Sequence, residues 1–130
     1  MTNIVPNLHY RDPRAALTWL AAAFGFEEVI VVDGDDGAIV HAELRFGDGF
    51  VFVGDDRGGL GMRSPRDLGG TSVDLCLYVR EVDAHYARAV AAGAEVVHAI
   101  ADTSYGSRGY TVRDPEGHLW TFGTYRPGQG

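Results

Sequence analysis

Arg113-Asp114-Pro115-Glu116-Gly117-His118-Leu119-Trp120-Thr121-Phe122, near the C-terminus, decides how the rest of the chain is read. Asp114 can bond its own backbone, Pro115 presets φ for the first corner of a turn and Gly117 supplies a positive φ, so the segment predicts a tight hairpin between two strands. On the outgoing arm Leu119, Thr121 and Gly123 fall on one face and Trp120 and Phe122 on the other, because side chains alternate along a strand. The heavy apolar face belongs to a core; the small face is left for something else.

Working outward, residues 108–113 form the arm entering that hairpin, a loop carries Asp102 to Gly106, and residues 95–100 read as a strand. Before them Val82, Tyr86, Ala89 and Val90 share one helical face, closed by Ala92-Gly93. Val73, Leu75, Leu77 and Val79 alternate with Asp74, Cys76 and Tyr78 in a further strand. The first half of the chain has the same order. Ile4, Pro6, Leu8 and Tyr10 alternate with Val5, Asn7 and His9; Asp12-Pro13 opens a helix whose stripe is Leu17, Leu20 and Phe24 with Ala16 and Ala23; Gly25 ends it. Residues 28–32 and 38–46 read as strands around the Asp33-Gly34-Asp35-Asp36-Gly37 turn, and Gly47-Asp48-Gly49 makes a hairpin into Phe50-Val51-Phe52-Val53. Between the halves, residues 54–70 are rich in Gly, Asp and Arg, with Ser64-Pro65 inside and Leu60, Met62 and Leu68 as apolar anchors, which reads as a linker or mobile flap. Strand, helix and three strands thus occur twice, with Arg11-Asp12 matching Arg80-Glu81 at an offset of 69. The pattern predicts one α+β domain with module one over 3–53, a linker over 54–70 and module two over 71–126.

Composition narrows the partners. The 130 residues are 45% hydrophobic and 22% charged, an ordinary globular balance, and no apolar run approaches the ~20 residues of a membrane-spanning helix. With no signal-peptide pattern at Met1-Thr2-Asn3, the chain reads as cytoplasmic. A net charge of −7 repels phosphate backbones and anionic headgroups, which argues against nucleic acid and membrane surfaces. Cys76 stands alone, so neither an internal disulfide nor a cysteine-rich zinc site is available, and its strand position reads as an inert buried thiol. All eleven Lys and Arg positions are Arg, which removes Schiff-base chemistry and a lysine-anchored pyridoxal cofactor.

The Asp-Pro-Glu-Gly hairpin, set in this repeat, resembles the signature of the vicinal oxygen chelate superfamily, which includes glyoxalases, bleomycin-resistance proteins and ring-cleaving dioxygenases. The resemblance implies paired βαβββ modules forming a curved mixed sheet, a cup with helices outside and a ligand inside. In that family a metal-binding Glu commonly stands four residues after the turn Gly, and further ligands come from the first strand of each module. Those positions here are Thr121, Val5 and Asp74, and the matching strand of module one has no carboxylate. The resemblance therefore implies the cup without its usual metal, and no cofactor is expected.

Alternation places Val5, Asn7, His9, Asp74, Cys76, Tyr78, Leu119, Thr121 and Gly123 on the cup side, joined by His41 and Glu43, with Arg45, from the third strand. Tyr105 and Tyr110 flank the Gly106-Ser107-Arg108-Gly109 loop, where rings can stack on a ligand. The candidate ligand-binding residues are thus Asn7, His9, His41, Glu43, Asp74, Cys76, Tyr78, Tyr105, Tyr110 and Thr121, with no catalytic or metal residue assigned. Asp74 draws attention because a carboxylate in an apolar strand must be paired, for instance with an Arg, or solvated in a cavity. His85, His98 and His118 read as solvated, Trp120 and Phe122 as core, and Trp19 as a core or dimer contact. Two functions compete. The first is a metal-free protein that sequesters an antibiotic or toxic metabolite, planar aromatic or cationic, acting as a homodimer. The alternative is a metal-dependent lyase, isomerase or dioxygenase using His9, His41, Glu43 and Asp74.

Overall fold

A computed structural model describes residues 3–128. Along the chain lie β1 (Asn7–Tyr10), α1 (Pro13–Phe24), β2 (Glu27–Asp33), β3 (Ile39–Phe46), β4 (Gly49–Asp55), α2 (Pro65–Leu68), β5 (Asp74–Tyr78), α3 (Val82–Ala91), β6 (Glu95–Asp102), β7 (Arg108–Arg113) and β8 (Leu119–Gly123). Hydrogen bonding groups the strands into two four-stranded sheets, ordered β1-β4-β3-β2 and β5-β8-β7-β6. In each, the first strand pairs in parallel with the last, and the other pairs are antiparallel. A parallel pair needs a long crossover, which α1 and α3 begin. The repeat is one of register as well as order: Asn7 faces Phe52 and Leu8 faces Val53, as Cys76 faces Thr121 and Leu77 faces Phe122. The offset of 69 thus carries these parallel pairs of the first sheet onto their counterparts in the second.

Both sheets share one core. Asp12 caps α1, its side chain accepting the Ala15 N–H at 3.1 Å, Pro13 occupies the first turn, and Gly25 leaves the helix at φ 86°. The stripe Ala16, Leu17, Leu20, Ala23 and Phe24 is buried, and α1 packs on α3 through buried Val82 and Ala89. Phe24 meets Trp120 and Phe122 at 5.3 and 4.6 Å between ring centroids, and Phe26 meets Trp120 at 5.5 Å, so rings from the two halves interlock. Trp19 joins the helix seam: its Nε1–H donates to Ala92 O at 2.8 Å. Val90, expected on the buried stripe of α3, is instead exposed, since α3 buries only its Val82–Ala89 side against α1.

The Asp-Pro-Glu-Gly turn fastens the halves together. Asp114 Oδ1 accepts the N–H groups of Glu116 and His118, both at 3.0 Å, while Oδ2 accepts the Tyr10 hydroxyl at 2.6 Å and Trp120 Nε1–H at 3.0 Å. Glu116 accepts the Arg11 N–H at 2.6 Å and the Asp12 N–H at 2.9 Å, holding the N-cap residue and the one before it at the entry to α1. His118 Nε2 donates to His9 O at 2.9 Å. Burial, with the Asp114 charge alongside, raises the Tyr10 phenol well above its ordinary pKa.

Several sequence expectations change here. Leu60, Met62 and Leu68 do not anchor the segment after β4; they are exposed. The anchor is a backbone bond from Arg66 N–H to Glu116 O at 3.0 Å, with Ser64 and Pro65 buried beside the closing turn. Neither His118 nor His85 is solvated. His118 is buried, and His85 lies among Phe24, Phe46, Tyr110 and Phe122. His85 Nε2 donates to Phe24 O at 2.8 Å, a group that can only accept, which leaves Nδ1 to accept the Tyr110 hydroxyl at 2.5 Å. Desolvation pushes the His85 pKa below its ordinary value, with Arg88 adding in the same direction. A depressed native pKa means the unfolded chain takes up protons first, so His85 contributes its full stability above about pH 6.5 and loses it as pH falls toward the native value. Between pH 7.5 and 5.5 the melting temperature of wild type is expected to fall further than that of His85→Gln. Equal falls in the two proteins would show that His85 carries no such linkage.

Candidate functional site

Each sheet turns one face to the helices and leaves the other open. On the first, Leu8, Tyr10, Ala42, Leu44, Val51 and Val53 are buried, while Asn7, His9, His41, Glu43, Phe50 and Phe52 look away. The second repeats this, with Leu75, Tyr110, Val112, Trp120 and Phe122 buried and Asp74, Cys76, Tyr78, Leu119, Thr121 and Gly123 on the open side. The period of two placed most of these residues; their contacts could not be read from it.

On the first open face, His41 Nε2 lies 3.0 Å from Glu43 Oε2 and its ring stands edge-on to Phe52 at 4.9 Å. His9 Nδ1 donates to Asp55 O at 2.9 Å. Asn7 and His9 border a cavity of about 480 Å³ between β1 and the segment around Met62 and Thr71. On the second face, the Thr111 and Thr121 hydroxyls bond at 2.8 Å. Cys76 Sγ donates to Asp74 Oδ2 at 3.9 Å. Another cavity of about 480 Å³ runs along the free edge of β5, bounded by Asp74, Cys76 and Tyr78 on one side and Pro6, Phe46 and Phe50 on the other.

Two candidates are displaced from their expected settings. Tyr110 is 1% exposed and points into the core, where it meets His85 and Phe122, because Gly109 and Thr111 take the open positions on either side. Its side chain therefore cannot stack on a ligand, and burial pushes its phenol up. Cys76 is exposed, not buried, since it shares the open face with Asp74 and Thr121; desolvation and the neighbouring Asp74 nonetheless raise its thiol pKa. Asp74 is exposed and, among the described residues, forms no ion pair with an Arg; solvent on the open face supplies its hydration. Phe52 and Phe50 were missed as candidates, although period-two reading from Asn7 across the β4 register would have put both on the open side.

The donor set does not fit a chelated metal. The two register-equivalent positions on the last strand of each sheet are Phe52, a hydrocarbon ring, and Thr121, whose hydroxyl is already bonded to Thr111. Val5 has no donor atom. A divalent ion takes three or more O, N or S ligands at ~2.0–2.6 Å, and no cluster of three His, Cys, Asp or Glu side chains occurs among the described residues.

Two sheets of four with parallel first-to-last pairing, repeated in register, define a class, and sequence comparison agrees. Residues 6–122 match the model of the Glyoxalase/Bleomycin resistance protein/Dioxygenase superfamily, and the chain belongs to that family. An uncharacterized protein of Mycobacterium bovis is 41% identical over 122 residues, 91% of this chain and 80% of that one. Among solved structures, TioX from Micromonospora sp. ML1 is 35% identical with a TM-score of 0.79, over 97% of this chain and 100% of its own. A superfamily member from Sphaerobacter thermophilus shares the fold, with a TM-score of 0.75 at 19% identity over 96% and 99% of the two chains.

Proposed function

We propose that this protein binds a small planar organic compound on the open faces of its sheets without a chelated metal, and protects its host by sequestering an antibiotic or toxic metabolite. The observation that carries the reading is the pair Phe52 and Thr121: where the register repeats, one position offers an apolar ring and the other a tied hydroxyl. Apolar rings with a few placed polar groups are what a site for a flat organic molecule requires. A library of planar compounds screened by thermal shift is expected to yield stabilising ligands whose affinity is unchanged after dialysis against EDTA. Loss of all ligand-induced shift on chelation, restored by zinc, nickel, manganese or iron, would move the protein to the metal-dependent enzymes.

The binding unit in this proposal is a homodimer. β2 is exposed along its whole length, with Val29, Ile30, Val31 and Val32 each 38–45% accessible, and Val96 and Val97 on β6 are similar. β1 and β5 each keep a free edge. Apolar strands with unpaired edges favour association, and a two-fold partner would cover both open faces at once. Light scattering is expected to give twice the 14.0 kDa chain mass; a monomer at micromolar concentration would contradict this part.

A further inference from the structure

Resting on the reading of the open faces as a ligand site, we infer that the second sheet carries a stacking shelf for a fused-ring aromatic group, floored by Gly109 and Gly123 and walled by Tyr78, Tyr105 and Tyr125. Tyr78, Gly123, Gly109 and Ala101 lie in one row across β5, β8, β7 and β6. A Cβ on Gly123 would fall 2.9 Å from Arg108 O, and one on Gly109 2.9 Å from Phe122 O, closer than side chains and backbone approach. The two strands therefore meet with no side chain between them, and the row presents bare peptide planes with a single ring at its β5 end. A flat molecule can lie on such a floor at van der Waals distance; a puckered one of equal carbon count cannot.

The walls are aromatic and held in place. Tyr78, Tyr105 and Tyr125 line one cavity of about 470 Å³ above this floor, within the ~300–1,000 Å³ range of small-molecule sites. They remain 37%, 71% and 47% exposed, so three rings border the same space without being packed away. Tyr105 and Tyr125 stand edge to face at 6.0 Å. The loop bearing Tyr105 is closed by Thr103, whose N–H reaches Ser107 O at 2.8 Å and whose hydroxyl accepts the Ser107 N–H at 3.0 Å. Tyr125 follows Thr124, whose hydroxyl accepts the Arg108 N–H at 3.0 Å. Arg126 lies over the Tyr78 ring, 4.4 Å from its centroid, and donates to its hydroxyl at 3.1 Å. Loop backbones tied before binding lose little freedom when a ligand arrives, which favours affinity.

The test is calorimetric titration with 2-naphthol and with decahydro-2-naphthol, its saturated counterpart, which has the same carbon skeleton and hydroxyl but is not flat. Wild type is expected to bind 2-naphthol saturably and the saturated compound at least tenfold more weakly. Tyr105→Ala and Tyr125→Ala, both at exposed positions and checked for folding by circular dichroism, are expected to weaken 2-naphthol about five- to tenfold each, in line with the loss of one stacking partner. Arg126→Gln, which frees Tyr78, is expected to weaken it about two- to threefold. Val90→Thr, on the exposed side of α3 and away from both open faces, is expected to leave it unchanged. Equal affinity for the two compounds, no saturable binding of 2-naphthol, or indifference to both tyrosine variants would overturn the shelf. If 2-naphthol binding responds to Phe52→Ala and not to the tyrosines, the shelf falls while the ligand-binding reading of the open faces stands; that broader reading falls when the planar library gives no stabilising compound.

Discussion

Asp114→Ala is expected to destabilise the protein by roughly 3–5 kcal/mol, enough to unfold a marginal domain at physiological temperature. The carboxylate is 4% exposed and accepts four hydrogen bonds, from the Tyr10 hydroxyl, the Trp120 indole and two turn N–H groups. Removing it leaves these donors facing no acceptor, and each buried donor left unsatisfied costs about 1–3 kcal/mol. The effects are not additive, because the turn can relax and admit water, which is why the expected total is below their sum. Asp114→Asn keeps one acceptor oxygen and is expected to lose less. Urea denaturation followed by tryptophan fluorescence measures both; a loss under about 1 kcal/mol for the alanine variant would show that the turn does not fasten the halves.

Glu116→Ala is expected to cost about 2–3 kcal/mol through a different part of the molecule. Its two oxygens take the N–H groups of Arg11 and Asp12, so the start of α1 is capped from the far half of the chain. Hydrogen bonds to a charged group are worth roughly 1.5–3 kcal/mol, and a carboxylate at a helix N-terminus also meets the favourable end of the helix dipole. Glu116→Gln retains one acceptor without the charge and is expected to fall between wild type and alanine. Amide hydrogen exchange should report the defect selectively as faster exchange of the Arg11 and Asp12 amides that lead into α1. If Glu116→Ala stays within about 0.5 kcal/mol of wild type, Asp12 alone suffices as the cap.

The fold was legible because its local signals agree. Asp12-Pro13 and Gly25 bracket α1, alternation marks the strands, and the offset of 69 between Arg11-Asp12 and Arg80-Glu81 reappears in the register of the parallel strand pair of each sheet. The faces followed from the same alternation, which placed Asp74, Cys76, Tyr78 and Thr121 together on one open side and His41 beside Glu43 on the other. Tertiary partners were not legible. Asp114 and Glu116 read as turn formers, yet the acceptors they supply are taken by Tyr10, Arg11 and Asp12, about a hundred residues away. His85 and His118 read as solvated because nothing local marks a histidine whose ring nitrogens meet Phe24 O and His9 O. Tyr110 was placed by its neighbouring flexible loop when strand parity, counted back from Trp120 through the β7–β8 register, puts it in the core. The pair Gly109 and Gly123 resembled ordinary loop and strand-end glycines; only their facing backbones reveal why neither carries a side chain.

The metal-independence proposed for the site would separate this protein from the chelating members of its family, because Val5, Phe52 and Thr121 stand where donors would be needed. Elemental analysis by mass spectrometry of protein purified without chelators or an affinity tag that binds metal tests it most directly. The account predicts no stoichiometric zinc, nickel, manganese or iron, and the same thermal-shift ligands before and after EDTA; one metal ion per chain or per dimer, with ligand binding abolished by its removal, would contradict it.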